Sequence, residues 1–196
     1  GVWAAQNTRE AIFDAMLRKE VYATTGSRIR VRFFAGWEFD ESTLQDSQWA
    51  LKGYAQGVPM GSQLRAAQDP NLAPTFMIKA QKDPNAAHLD RIQIVKGWLD
   101  SDGEHQEKVY DVVASGNRPR NSATGLFEPV KDTTNLSTAS YSNTEGSAQL
   151  EGLWRDPDFD AQQAAFYYVR VLEIPTPRWT SFDAVRFGEN RVAEDT

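Results

Sequence analysis

The sequence predicts an α+β fold that is mainly β, in which an antiparallel, sandwich-like β domain follows one helix and one strand. Three observations support this prediction. Residues Leu89–Ala114 alternate between apolar and polar side chains on both sides of an Asp-Gly pair. Residues Ala164–Ile174 form a long run rich in β-branched and aromatic side chains. A single strong helical pattern, Asn7–Glu20, lies near the start of the chain.

The first elements are the helix and the strand that follows it. Asn7 can cap the helix, and Glu10 can reach back to the capping backbone. In the strand Ser27–Trp37, arginines alternate with apolar residues. Because a helix followed by a strand commonly closes an α/β unit, residues 1–35 are predicted to be the tail of an upstream, barrel-like α/β domain. Residues 36–196 are then predicted to form the mainly antiparallel β domain.

The middle of the chain is less regular. Leu44–Ala55 is compatible with a short helix, and Pro74–Gln81 and Gln149–Trp154 are predicted strands. Ser115–Ser147 is dense in small polar residues, which indicates either a functional loop or weak strands within it. The strand Ala164–Ile174 is apolar on both faces in places, which predicts a central position in its sheet.

The run Leu89–Ala114 is predicted to be a hairpin at the centre of the β domain. Ile92 and Ile94 fall on one face of its first strand, and Val109 and Val113 are expected to share a face of the second. The glycine of the Asp-Gly pair can adopt the positive φ that a tight hairpin turn requires.

Composition limits the classes of function. The chain has 196 residues, a formal net charge of −6 and no cysteine. Disulfides and thiolate metal sites are therefore excluded, and a nucleic-acid partner is not expected because a binder of phosphates needs excess positive charge. No apolar run approaches the roughly 20 residues that span a bilayer, so no membrane partner is expected. The opening Gly1, in place of Met, suggests a fragment or a processed product, and a periplasmic or secreted location stays open.

Few residues have the pattern of a catalytic or metal site. His88 and His105 are the two histidines, and lone histidines beside turns are more often solvated than catalytic. No nucleophile elbow or zinc-binding helix occurs, so no catalytic residue is assigned.

Clustered carboxylates are the weak candidates for a metal site. Asp156, Asp158 and Asp160 stand at alternate positions, and Ca²⁺ prefers clustered oxygen ligands. The run lacks the glycine and distal glutamate of a calcium-binding loop, and Asp with Pro more often simply forms turns. Asp100 and Asp102 form a poorer candidate of the same kind.

Two further groups of side chains suggest binding. Arg28, Arg30 and Arg32 would line one face of a strand, where they could hold an anion or carboxylates, although exposed charges need no ligand. Some of the six tryptophans could form a platform for sugars, but tryptophan is more often buried.

Four stretches resemble landmarks of one known family. They read NTREAIFDAMLRKEVYATTGSRI, GVPMG, IQIVKGWLDSDGEHQEKVYDVV and WRDPDFDAQQAAFYYVRVLEIPTPRW. In this order they resemble the C-terminal part of the family catalogued as domain of unknown function 3604, whose N-terminal part is similar to polymerase-and-histidinol-phosphatase metal-dependent hydrolases. The resemblance implies a divalent metal in an upstream catalytic domain and no cofactor in this chain.

Three functions follow as hypotheses. The first is an accessory C-terminal region of a metal-dependent hydrolase, non-catalytic alone, with the upstream catalytic domain of the same protein as its partner. The second is a β-sandwich module that binds carbohydrate or another polymer. The third is a structural or oligomerisation domain, with a second copy of the chain as its partner.

Overall fold

The structure is a computed structural model that describes residues 1–188. In this part of the chain the strands are Arg30–Gly36 (β1), Gly57–Pro59 (β2), Thr75–Gln81 (β3), Leu89–Leu99 (β4), His105–Ala114 (β5), Gln149–Arg155 (β6) and Ala165–Glu173 (β7). The helices are Arg9–Leu17 (α1), Glu41–Gln45 (α2), Trp49–Gln56 (α3) and Trp179–Phe187 (α4). The predicted α+β, mainly β fold class is confirmed.

The strands form two antiparallel sheets. One has the order β2-β1-β3-β6 and the other the order β5-β4-β7. The predicted strands Pro74–Gln81 and Gln149–Trp154 are confirmed as β3 and β6, which pair with each other along their full length. β1, β3 and β4 therefore have neighbours on both sides, whereas β2, β6, β5 and β7 are edge strands in the described part of the chain.

The main core lies between the two sheets. Val31 and Phe33 of β1 and Phe76 and Ile78 of β3 face the buried residues Ile92 and Ile94 of β4. Other members of this cluster are Ala80, Leu89 and Leu150. Two amphipathic sheets bury their apolar faces against each other in this way, which is the packing of a β-sandwich.

A second core covers part of the outer face of the four-stranded sheet. Phe34 and Met77 point away from the main core and pack with Phe39 and Leu44. Asp40 caps α2 by accepting a hydrogen bond from the backbone N–H of Thr43 at 2.8 Å. Helices α2 and α3 replace the single predicted helix Leu44–Ala55. They cover the sheet at Phe34 and Met77, and the part that carries Arg30 and Gln81 lines an open groove.

The predicted hairpin is confirmed as β4 and β5, with a positive φ at Gly103 in the turn. Its predicted central position is correct for β4 but wrong for β5, which is an edge strand in the described part of the chain. One further detail of the prediction is wrong, because Val109 and Val113 do not share a face. Val113 lies opposite the core residue Ile92, whereas Val109 lies opposite Val95, which alternates away from that face. The register shifts between Ile92 and Gln93, and such a bulge moves the following side chains to the other face.

The prediction that Ala164–Ile174 is a central strand is wrong. Among the described residues β7 pairs with β4 alone, so it is an edge strand. Its outer side chains Phe166 and Tyr168 are 62% and 43% exposed. Phe166 lies over Gly97, where an added Cβ would stand 2.3 Å from the ring. Both faces are apolar because the inner face joins the core while the outer face displays aromatic rings.

The N-terminal helix is shorter than predicted. Its cap is Thr8, not Asn7, because Thr8 has extended dihedral angles and accepts a hydrogen bond from the N–H of Ala11 at 3.2 Å. The strand after the helix pairs with β3 from Arg30 to Gly36, so it lies within the four-stranded sheet. The assignment of residues 1–35 to an upstream domain stays a prediction, with its boundary inside β1.

The loop after β5 is held by a buried polar network. Asp111 is 3% exposed and accepts hydrogen bonds from Arg91 at 3.0 Å and Gln93 at 2.7 Å. It also accepts one from the backbone N–H of Phe127 at 2.6 Å. Arg118 donates to the carbonyl of Asp90 at 3.0 Å. These hydrogen bonds anchor the loop to β4 and β5. The loop itself contains isolated β-bridges rather than strands.

Candidate functional site

Asp156, the first of the three predicted carboxylates, lies at one end of the interior between the two sheets. Asp156 directly follows β6 and is 2% exposed, as is Lys96 of β4. The Lys96 ammonium donates to Asp156 Oδ2 at 2.7 Å and to the carbonyl of Asp158 at 2.7 Å. The Tyr167 hydroxyl of β7 donates to the same Asp156 oxygen at 2.6 Å. A buried ion pair and a phenol therefore join the two sheets.

The second predicted carboxylate lies beside the first but nearer to solvent. The hydroxyl of Tyr110 donates to Asp158 Oδ2 at 2.6 Å, and Lys108 forms an ion pair with the same oxygen. The hydrogen bond from Lys108 is the main cause that lowers the pKa of Asp158. Burial, followed by the hydrogen bond to Asp158, raises the pKa of Tyr110.

We call Lys96, Asp156 and Tyr167 the inter-sheet tie. Burial, followed by the hydrogen bond to Asp156, raises the pKa of Tyr167, so its phenol stays protonated at neutral pH. A protonated phenol that already donates to a carboxylate is not a base, and the Lys96 ammonium already donates to the same carboxylate at 2.7 Å. The chemistry of the tie is therefore cross-linking of two sheets rather than proton transfer.

The third predicted carboxylate has a local role. Asp160 Oδ1 accepts a hydrogen bond from the backbone N–H of Gln162 at 2.8 Å, as an Asx turn does. Among residues 1–188, no group of three or more His, Cys, Asp or Glu side chains is arranged to hold a metal ion. Asp156 and Asp158 instead have lysine ammonium groups as their cations.

The remaining polar candidates occupy turns. Asp100 accepts hydrogen bonds from the backbone N–H groups of Asp102 and Glu104 at 3.0 and 2.9 Å, which shapes the hairpin turn. The bond from Glu104 is the main cause that lowers the pKa of Asp100. His88 contacts the carbonyl of Glu145 through Nδ1 at 3.0 Å, and His105 is exposed at the start of β5. The structure does not bring the two histidines into one site.

A cleft runs along the side of the sandwich where β7 faces β1. We call this cleft the seam; its volume is about 900 Å³. Its lining is mostly apolar and includes Ile29, Val31, Met60, Val169 and Val171. A second cavity of about 620 Å³ shares Phe33, Met60, Gly61 and Tyr167 with it. The open edge of β7 thus lies along apolar surface that nothing in the described chain covers.

Glu173 lies at one end of the seam. Its Oε1 atom is buried and has no hydrogen-bond partner among the described residues. Burial is the main cause that raises the pKa of Glu173, and a hydrogen bond with Ser27 opposes this rise. A buried carboxyl oxygen without a partner is costly, so this end of the seam is suited to a hydrogen-bond donor from outside.

The arginine row predicted from the sequence divides in the structure. Arg28 is 89% exposed and lies 3.9 Å from Asp83. Arg30 and Arg32 instead line a groove of about 400 Å³ on the outer face of the four-stranded sheet, together with Trp3 and Trp49. Of the six tryptophans, Trp179 alone is exposed, and the other five are half-buried.

Lys96 and Tyr167 are the residues of the tie that sequence reasoning missed. A signal was present, because Lys96 continues the alternation of Ile92 and Ile94 and therefore points to the interior. A charge that a strand directs inward needs a buried partner. Its partner Asp156 lies 60 residues further along the chain, and no local sequence pattern indicates that the two residues pair.

Comparison with known families decides where the chain belongs. The family model described as "Protein of unknown function (DUF3604)" matches residues 1–196. The chain is a member of this family. Neither the curated proteins nor the solved structures contain a significant match. Within residues 1–188, no helix of this DUF3604 member has the length and apolar character that crossing a bilayer requires.

Proposed function

We propose that this DUF3604 chain is an accessory C-terminal region of a metal-dependent hydrolase and has no activity by itself. In this role it packs against an upstream catalytic domain of the same protein. The observation that carries the proposal is the apolar surface left open along the seam and on α1. Such surface commonly marks a contact with another domain or protein.

The seam supports an interdomain contact. β7 has an unpaired edge next to the apolar lining, and an unpaired edge readily accepts another strand or is covered by another element. The partnerless oxygen of Glu173 adds an acceptor for a donor of the upstream domain. A domain that covers the seam would both cover the edge of β7 and donate a hydrogen bond to Glu173.

Helix α1 supports a second part of the same contact. Phe13, Met16 and Leu17 are 59%, 58% and 64% exposed, and Ala15 is the buried residue of this helix. These three large apolar side chains leave more than half of their surface exposed to solvent on one short helix. Burying them against a neighbouring domain contributes about 1.5–3 kcal/mol for each fully buried side chain.

The metal belongs to the upstream domain in this proposal. The described carboxylates are arranged for turns, lysine pairs and loop anchoring, and they do not fit a divalent cation. In this proposal, the described residues contribute contacts to the active-site domain rather than metal ligands. Neither nucleic acid nor membrane is a partner in this account, consistent with the net charge of −6.

Activity and metal content test the proposal directly. Hydrolysis of aryl phosphate mono- and diesters is measured with added Mn²⁺, Mg²⁺ or Zn²⁺, for the 196-residue chain and for the protein that includes its upstream domain. We expect hydrolysis from the longer protein alone. Hydrolysis together with tightly bound metal in the 196-residue chain would overturn the proposal.

A second candidate function is binding of carbohydrate or another polymer. The observation that favours it is that Trp3 and Trp49 line one polar groove.

Oligomerisation stays a third hypothesis, and sedimentation velocity at several concentrations tests it because a self-associating chain sediments faster as its concentration rises.

A further inference from the structure

The groove on the outer face of the four-stranded sheet has an ordered polar floor. Two rows of paired residues cross β1, β3 and β6 there. The first row consists of Arg30, Gln81 and Gln149, and the second consists of Arg32, Lys79 and Glu151. All six side chains line the groove. The next row, from Phe34 to Leu153, is covered by α2 and α3, so the floor ends at a wall.

Two arginines of the floor have no carboxylate partner. Among the described residues, neither Arg30 nor Arg32 forms an ion pair, although the chain has more acidic than basic residues. Arg18 and Arg91, in contrast, are paired with Glu20 and Asp90. Lys79 pairs with Glu151 at 2.8 Å, so the groove keeps two uncompensated positive charges.

Two tryptophans are held in place beside these charges. The indole N–H of Trp3 donates to the carbonyl of Val31 at 2.8 Å, and the Arg32 guanidinium lies 4.0 Å from the centre of the Trp3 ring. Trp49 packs edge-on against Phe34 with 5.8 Å between the ring centres. Because both rings are fixed by the fold, a ligand would meet a pre-formed surface.

We propose that this groove binds an acidic carbohydrate, a saccharide that carries carboxylate or sulfate groups. A guanidinium binds such an anion through two parallel N–H···O bonds. The amides of Gln81 and Gln149 can donate to and accept from sugar hydroxyls. The Arg32 guanidinium lies over one face of Trp3, and the Lys79 ammonium lies 5.0 Å from the centre of the Trp49 ring. The apolar ring atoms of both tryptophans that line the groove suit the C–H groups of a pyranose ring.

The observations favour an acidic carbohydrate over nucleic acid. Affinity for nucleic acid depends on many phosphate contacts and on a positive surface. The net charge of −6 opposes that mode of binding, whereas two local arginines suffice for single acidic groups on a sugar chain. The inference deepens the second candidate function and is independent of the accessory role, which concerns the seam and α1.

The test measures binding of the chain to polygalacturonate, dextran sulfate and uncharged dextran by isothermal titration calorimetry in about 50 mM salt, where screening is weak. We expect at least one acidic polymer to bind and dextran to bind far more weakly. Binding of polygalacturonate alone assigns carboxylate, and binding of dextran sulfate alone assigns sulfate. Failure of both acidic polymers to bind, or equal affinity for dextran, would overturn the inference.

Matched variants assign the binding to the groove. Arg30→Gln should weaken binding of the acidic polymer roughly tenfold, the effect of losing one charge-assisted contact. Arg28→Gln removes the same charge from an exposed position outside the groove and should change affinity less than about twofold, because it removes long-range attraction alone. An equal loss in both variants would contradict the inference, since attraction by overall charge would then explain the binding.

A second variant and a second polyanion complete the test. Gln149→Glu places a negative charge on the exposed floor of the groove and should weaken binding at least as much as Arg30→Gln. Circular dichroism establishes that each variant is folded. Single-stranded DNA that binds more tightly than both acidic polysaccharides would replace the inference with a nucleic-acid site. Failure of polysaccharide binding leaves the hydrolase assay unaffected, so the two proposals fail separately.

Discussion

The inter-sheet tie and the outer groove use charge in opposite ways. In the tie, Lys96 and Asp156 are each 2% exposed and are paired at 2.7 Å. In the groove, Arg30 and Arg32 have no acidic partner among the described residues. A buried charge must be paired within the fold because burying it unpaired is costly. A solvent-exposed charge carries no such cost and is free to bind a ligand. We therefore assign the tie a role in stability and propose a role in ligand binding for the groove.

The largest effect is expected from breaking the tie. Asp156→Ala should lower the free energy of unfolding by about 3–5 kcal/mol, because it leaves the Lys96 ammonium buried without its carboxylate. Urea unfolding at pH 7 measures this change. Asp160→Ala is the matched control and should cost less than about 1 kcal/mol, since Asp160 forms an exposed turn. Equal losses for the two variants would show that the tie does not stabilise the sandwich.

A smaller effect is expected from removing one hydrogen bond of the tie. Tyr167→Phe should cost about 1–2 kcal/mol, because it deletes a hydroxyl that donates to a buried carboxylate. Tyr168→Phe, on the neighbouring outer face, removes a hydroxyl from a side chain that is 43% exposed and should have little effect. The same urea unfolding compares the pair, and a greater loss in Tyr168→Phe would contradict the geometry of the tie.

Glu173 provides a third case for the comparison, because it is a titratable carboxyl group at the seam whose Oε1 atom has no hydrogen-bond partner among residues 1–188. Burial raises its pKa, so the folded state holds the proton more tightly than the unfolded state. Its contribution is fully present below the unfolded-state pKa, and it is lost as the pH rises through the folded-state pKa. At pH 7, Glu173→Gln should increase the free energy of unfolding by less than about 1 kcal/mol, since the half-exposed side chain is screened.

Unfolding followed from pH 4 to pH 8 checks the Glu173 prediction, and the difference between wild type and variant isolates this residue from the other carboxylates. That difference should grow as the pH rises above the ordinary value of 4.5. Glu107→Gln is the matched control, because it removes the same kind of carboxyl group from an exposed position on β5. A Glu173→Gln variant that loses stability at high pH would show that the carboxylate is stabilised in the fold.

The smallest effect on folding is expected in the groove. Arg30→Gln should change the free energy of unfolding by less than about 0.5 kcal/mol, because an exposed side chain without an ion pair contributes little to stability. Thermal unfolding of the variant beside wild type measures this. A loss above about 1 kcal/mol would place Arg30 among the residues that hold the fold, and the contrast with the tie would disappear.

Local sequence patterns were sufficient to predict most strands. The position of a strand in its sheet and the face on which a side chain lies depended on contacts between residues that are distant in sequence. Alternation was sufficient for the hairpin, for β3 and for β6. It could not show that β7 is an edge strand, since both faces of an edge strand can be apolar when one lies in the core and one packs on Gly97. The bulge that separates Val109 from Val113 is likewise a property of the strand pair.

The candidate sites were less predictable than the strands. The carboxylates at Asp156 and Asp158 were recognised as a cluster, yet their lysine partners lie 60 and 50 residues away in sequence. The arginine row was recognised, but its division into Arg28 outside and Arg30 inside the groove depends on Trp3 and on α3. Sequence spacing shows which side chains share a strand face, and the packing of other elements shows which of them are paired.

A matched pair of variants tests the accessory role most directly. In the protein that includes the upstream domain, Leu17→Glu places a charge on the exposed face of α1, and Leu51→Glu places the same charge on α3, where the leucine is equally exposed at 65%. We predict that Leu17→Glu lowers metal-dependent hydrolysis at least tenfold while Leu51→Glu leaves it within about twofold, because a charge at a packed contact is costly. Full activity in Leu17→Glu, or equal loss in both variants, would contradict a contact through α1.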